Sequence, residues 1–331
     1  MDFVKIMKGK AESRQKRLVL PEGTDPRIIR AARVIIDENL AEHVTLLGKI
    51  ANIQKVAEEE GVDISDIEII YPHADAHLSR YAQKYYEMRK HKGITEEQAL
   101  EDIADPLRWG AMMVQFGESH AMVAGAENTT GDVLRAGLSI IGTVPGLKTA
   151  SSCFVMTGMD PKWGVEGTLI FSDCAVIPDP TPEQMADIAT SAANSCRELL
   201  GVDPVVALMS FSTKGSAQHE SVIKVQTAVD ILKKRNVDFI FDGELQADAA
   251  LVPSVTDKKA PDSPVKGKVN TLIFPDLNSG NIGYKLVQRL GNAEAFGPFL
   301  QGFAKPISDL SRGASVEDIV TTCAVTLARV K

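Results

Sequence analysis

The stretch RLVLPEGTDPRIIRAARVIIDEN, residues 17–39, decides the fold class. Its first part is a short apolar run. Its second part has helical spacing, with Ile28, Ile29, Ala32, Ile35 and Ile36 on one face. Thr24 or Asp25 can cap that helix, and Pro26 suits its first turn. A strand that runs straight into an amphipathic helix is half of a βαβ unit, and the pattern recurs. HVTLLG (43–48) and IEIIYP (67–72) read as strands, with NIQKVAEEEG between them as a helix ending at Gly61. LSRYAQKYYEMRKHKG is a helix closed by Gly93, and HAMVAGAENTTGDVLRAGLSII reads as strand, loop, helix.

The alternation continues after residue 146. SCFVMTG, TLIFSDCAV, VVALMSF, DFIFDGEL and TLIFPDL are strand candidates. Between them, TPEQMADIATSAANSCRELLG and ESVIKVQTAVDILKKRN are helical. Thr181 with Gln184 forms a capping box, and Gly201 ends that helix. The expectation is an α/β protein with largely parallel sheets. Ligands in such sheets bind beyond the carboxyl ends of strands, so loops that follow strands and open helices are the places to look.

Bulk properties exclude several classes. A chain of 331 residues is long for one core, so two domains are expected. The net charge of −8 argues against a nucleic-acid partner, and any anionic ligand must be met by local arginines. Cys153, Cys174, Cys196 and Cys323 form no CxxC pair and read as buried thiols of a reducing compartment. No apolar run is long enough to span a membrane, and MDFVKIMKGKAESRQKR lacks the apolar core of a signal peptide. A cytoplasmic protein without a membrane partner is the expectation.

No P-loop, GxGxxG or GxSxG motif is present. His73 and His77 are four apart but have no third ligand, so no metal is expected. Four loops remain. In GAENTTGDVLRAGL (125–138), Thr129 and Thr130 sit at a helix start where hydroxyls and nearby amides can meet an oxyanion, and Arg135 adds permanent charge. A threonine cap and a solvated arginine explain the same residues. LNSGNIGYKLVQRLG (277–291) is a small polar loop opening a helix, suited either to close backbone approach by a ligand or to an ordinary βα turn. Arg89, Lys90 and Lys92 end a helix, as phosphate contacts or as a solvated terminus. SFSTKGSAQHE (210–220) has no assigned use.

SDLSRGASVEDIV (308–320) groups three serines, an arginine and three acids. Ser315 and Asp318 have capping-box spacing. The group also suits acyl transfer between phosphate and a thiol. That reaction needs a base for a thiol of pKa about 8.5, a guanidinium fork on the phosphoryl group, and a donor where the carbonyl oxygen becomes anionic. Asp318, Arg312 and Ser311 can supply these in turn.

DLSRGASVEDIV, NTTGDVLRAGL, LNSGNIGYKLVQRL and RLVLPEGTDPRIIRAA together resemble the phosphate acetyltransferase (phosphotransacetylase) family in its short form, along essentially the whole chain. The resemblance implies two α/β domains with a cleft between them, similar to isocitrate and isopropylmalate dehydrogenases. Residues 1–146 plus 299–331 would form the first domain and 147–298 the second. It implies reversible transfer of acetyl between acetyl phosphate and coenzyme A by a homodimer, with coenzyme A as substrate and no bound cofactor. It makes Asp318 the base, Arg312 the phosphate ligand and Ser311 the oxyanion donor. It makes Arg135 and Arg89 candidates for coenzyme A binding, joined by Thr129, Thr130, Asn281 and Gly283. Where relatives carry cysteine this chain has Ala314, which favours direct thiolate attack over an acyl-cysteine. Phosphate butyryltransferase, a decarboxylating dehydrogenase of similar fold and a non-catalytic acyl-CoA sensor are the alternatives. The dehydrogenase would need an aspartate metal cluster that the sequence does not display.

Overall fold

Asp25, not Thr24, starts the helix Pro26–Asp37: its carboxylate accepts from the Arg27 amide at 2.8 Å. That local choice opens the first βα unit of the computed structural model, which describes residues 2–330. Its strands are β1 (Arg17–Leu20), β2 (His43–Leu47), β3 (Glu68–Ile70), β4 (Ala121–Ala124), β5 (Ser151–Thr157), β6 (Leu169–Ser172), β7 (Val205–Met209), β8 (Ile240–Leu245), β9 (Thr271–Ile273), β10 (Glu294–Gln301) and β11 (Ile307–Asp309). They form two sheets in two units. One unit is Asp2–Pro145 with the chain from Phe303 onward; the other is Gly146–Gly302.

The first unit holds a five-stranded sheet in the order β11-β4-β1-β2-β3, parallel throughout. Helices cover it, so Leu18–Leu20 of β1 and all of β4 read as unbroken apolar runs rather than alternating ones. Leu18, Leu20, Ile28, Ile29, Ile35, Leu46 and Ile53 join Ile319, Cys323 and Leu327 of the last helix in one core. The chain leaves β1 toward β2 on one side, while β4 and β11 lie on the other. The order therefore reverses beside β1, the position at which open α/β sheets bind ligands beyond their strand ends. The loops after β1, β4 and β11 meet at that point.

The second unit has a six-stranded sheet, β10-β5-β6-β9-β7-β8. Strands β6, β9, β7 and β8 pair in parallel as expected, but the edge departs from that pattern: β10–β5 and β5–β6 are antiparallel. Every residue of β5 is buried, and a fully buried run carries no mark of its neighbour's direction. The capping box at Thr181–Gln184 and the left-handed Gly201 close the helix Pro182–Leu200 as its sequence predicts. All four cysteines are buried and none is in a disulfide. Among the described residues no helix is long and apolar enough to cross a membrane.

Candidate active site

The loop after β4 is built around a carboxylate from the loop after β1. Glu22 is buried. Its Oε2 accepts from the amides of Gly125 and Ala126 at 2.9 and 2.8 Å. Its Oε1 accepts from the amides of Glu127 and Asn128 at 3.0 and 2.8 Å and from Asn128 Nδ2 at 2.9 Å. Concave runs of amides bind anions, and this one is filled from within the chain. The four amides before Thr129 are therefore occupied by Glu22. Gly125 has a φ of +114°, and a Cβ there would lie 2.7 Å from the Leu310 amide. Only glycine lets the two loops approach so closely.

Arg27 ties three loops together. Its Nη1 donates to the carbonyls of Arg312 at 2.7 Å and Ala314 at 3.0 Å. Its Nη2 donates to Ala126 O at 2.9 Å and to Asp25 Oδ2 at 2.6 Å. Burial alone would raise the Asp25 carboxyl, but Arg27 and its own amide outweigh burial and hold it below the usual range. Glu127 moves the other way, pushed up by burial and by the charges of Asp25 and Glu22.

The loop held by Arg27 and the helix it opens carry three of the predicted residues. Ser315 caps the helix Val316–Ala328 and the capping box is complete. Asp318 Oδ2 accepts from Ser315 N at 2.9 Å and Ser315 Oγ at 2.8 Å. Its Oδ1 has no hydrogen bond among the described residues. Ser311 is exposed and its Oγ accepts from the Gly313 amide at 3.2 Å. The exposed Arg312 guanidinium makes no ion pair among the described residues, although its own carbonyl is pinned.

Thr129 caps the helix Thr130–Ile140 through the Asp132 amide and also donates to Asp132 Oδ2 at 2.7 Å. Asp132 in turn pairs with Arg135 at 2.6 Å, although the Arg135 side chain is 68% exposed. Thr130 Oγ turns the other way and donates to Asp309 Oδ2 at 2.5 Å. Arg89 is half-buried, ends the helix Leu78–Arg89 and lacks an ion pair among the described residues.

Asn281 and Gly283 belong to the other unit, on the helix Leu277–Leu290. Asn281 Nδ2 donates to Cys174 O at 3.0 Å, and a Cβ on Gly283 would lie 3.3 Å from the Phe274 ring. Both residues thus have structural work within their own unit. The unassigned loop 210–220 wraps Glu244, whose Oε1 accepts from Gly215 N at 2.7 Å and Ser212 Oγ at 2.8 Å.

Sequence reasoning passed over Glu22, Arg27 and Asp309. Their signals were present: a carboxylate and a guanidinium in PEGTDPR at the end of the first strand, and an acid before LSRG. Nothing in the spacing says that these groups meet across about a hundred to three hundred residues.

A parallel sheet whose strand-end loops gather a serine, an arginine without an ion pair among the described residues and a partly free carboxylate defines an α/β protein equipped for group transfer to or from an anionic substrate. Its sequence is matched over residues 2–327 by the phosphate acetyl/butaryl transferase family, and the chain belongs to that family. It is 60% identical to the phosphate acetyltransferase of Treponema pallidum, over 99% of this chain and 98% of the relative. The crystal structure of a phosphotransacetylase from Streptococcus pyogenes superposes with a TM-score of 0.92 at 39% identity, over 99% of this chain and 98% of that one. A branched-chain phosphotransacylase from Enterococcus faecalis shares the fold alone, with a TM-score of 0.67 at 17% identity over 95% of this chain and 99% of that one.

Proposed function

We propose that this protein reversibly transfers an acetyl group between acetyl phosphate and coenzyme A. The observation that carries the reading is the Ser311–Asp318 turn, with Arg312 unpaired and one Asp318 oxygen unbonded among the described residues, in a chain so similar to phosphate acetyltransferases. In this reading Asp318 keeps its cap with Oδ2 and takes the thiol proton on Oδ1. The thiolate attacks the acetyl carbon in a ternary complex, and the C–O bond to phosphate breaks with the electron pair leaving on phosphate. Arg312 neutralises the phosphoryl oxygens. Ser311 donates to the carbonyl oxygen as it gains charge. Arg135 and Arg89 face coenzyme A in the same reading, with Thr129 and Thr130 at the helix start beside it, and Asn281 and Gly283 are further candidates for binding it. Coenzyme A is a substrate, not a resident cofactor.

Finer features of the reading are a dehydrogenase-like arrangement of the isocitrate and isopropylmalate type, a cytoplasmic site and a homodimer. Exposed Ile282, Leu286 and Leu290 on the helix Leu277–Leu290 support the dimer, since such a stripe is unusual on a monomer's surface.

The test is the initial rate of thioester formation, followed by ultraviolet absorbance, with coenzyme A and either acetyl or butyryl phosphate. Faster turnover of acetyl phosphate is expected. Preference for butyryl phosphate would move the substrate to the family's other branch, and no thioester from either would overturn the reading.

A further inference from the structure

Asp309 ends β11, two residues before Ser311, and is 2% exposed. Its two oxygens are used differently. Oδ2 accepts from Thr130 Oγ at 2.5 Å. Oδ1 is buried, has no hydrogen-bond partner among the described residues, and occupies the space that a Cβ on Gly125 would need. The next residue, Leu310, donates its amide to Ala124 O at 2.8 Å. Gly125 thus sits between two buried carboxylates: Glu22, which takes its amide, and Asp309, which fills the place of the missing side chain.

A buried carboxylate with one oxygen unsatisfied is costly to fold. Burial and the neighbouring Glu22 charge push its pKa up to about 6, against the lowering effects of the Thr130 hydroxyl and the nearby Leu310 amide. Other elements bring little that titrates. β4 supplies only Ala121, Met122, Val123 and Ala124. The buried run of the last helix, Ile319–Ala328, supplies only Cys323, while Glu317 and Asp318 are exposed on its first turn. On the helix after β4, Asp132 and Arg135 pair with each other. Strain of this kind concentrates where function retains it.

We propose that Asp309 is a positioning residue for acyl transfer: through Thr130 Oγ its buried carboxylate holds the Ser311–Arg312 turn in register with the helix that carries Arg135. The proposal rests on the acyltransferase reading above. Asp309 itself touches no substrate. It trades stability for a fixed relation between the end of β11 and the start of the helix Thr130–Ile140.

Asp309→Asn and Thr130→Val test it in the intact protein, through thioester formation, thermal melting and rate against pH. Asp309→Asn is expected to lower kcat at least tenfold, with both Michaelis constants changed less than threefold, while melting at pH 7.5 at or above the wild type. Its rate should lose the acid limb near pH 6. Thr130→Val is expected to lower kcat as well and to move that limb to higher pH, because the lost donor had favoured the carboxylate. An Asp309→Asn protein with the wild-type rate would overturn the proposal. So would a rate loss matched by a fall in melting temperature and an unmoved acid limb in both variants, which is the signature of a structural role. A wild type that forms no thioester would overturn the acyltransferase reading and this proposal together, whereas an active wild type beside an unaffected Asp309→Asn overturns this one alone.

Discussion

The guanidinium of Arg27 donates to the main-chain carbonyl of Arg312 at 2.7 Å, across 285 residues of sequence. One arginine thus fixes the backbone of another and leaves the second side chain to its own work. Arg27→Ala would free the Arg312 and Ala314 carbonyls and leave Asp25 without its partner. A loss on the order of 2–4 kcal/mol is expected, between the ranges for exposed and buried pairs, read as a lower urea midpoint. Arg27→Lys keeps the charge but cannot reach four acceptors in a plane. It should recover part of the stability and little of the rate.

Gly125 tolerates no side chain. Its φ is +114°, and an alanine methyl there would stand 2.7 Å from the Leu310 amide, so Gly125→Ala must push β11 away from the loop after β4. A cost of about 2–3 kcal/mol is expected from backbone strain and overpacking together. Denaturant unfolding measures it, and a variant as stable as the wild type would contradict the close approach.

Cap and base at Asp318 can be separated. Ser315→Ala removes the cap oxygen and should cost about 1 kcal/mol of stability, with a smaller effect on rate. Asp318→Asn keeps an acceptor for the Ser315 amide and hydroxyl but cannot take a proton. A drop of about 10²–10⁴ in kcat is expected. Full activity in the asparagine variant would remove the base role.

Arg312→Lys retains a cation and loses the fork. The Michaelis constant for acetyl phosphate should rise about tenfold or more, with that for coenzyme A little changed. Steady-state kinetics with each substrate varied in turn makes the comparison, and an unchanged acetyl phosphate constant would count against the clamp.

Asp309 and Asp25 pull the pH dependence of stability in opposite directions. The folded pKa of Asp309, about 6, lies above that of an unfolded aspartate, near 4. Between those values the native state binds more protons, so this group's contribution is fully present below about pH 4 and is lost as pH rises through 6. Its size is on the order of 3 kcal/mol. Asp25 has a depressed folded pKa, so its contribution is present above the unfolded value and lost as pH falls through the folded one. Urea midpoints of wild type and Asp309→Asn at about pH 4.5 and 7.5 expose the first effect: the variant should gain relative to wild type at the higher pH.

The order of strands and helices was legible in the sequence because each signal is local. The spacing of Ile28, Ile29, Ala32 and Ile35 needs only one helical face, and the boxes at Thr181–Gln184 and Ser315–Asp318 need only four residues. The candidates Ser311, Arg312 and Asp318 were legible for the same reason, since they share one turn and its helix. Strand direction in the second sheet was not, because the buried run of β5 pairs equally well either way until its neighbours arrive. Nor was the use of the amides after β4, which Glu22 fills from another loop. By itself, then, the sequence determined the alternation, the caps and the residues offered to chemistry. Tertiary structure alone decided that Arg27, Glu22 and Asp309 brace them, because hydrogen bonds between the ends of distant parallel strands depend on sheet order, and no local spacing encodes it.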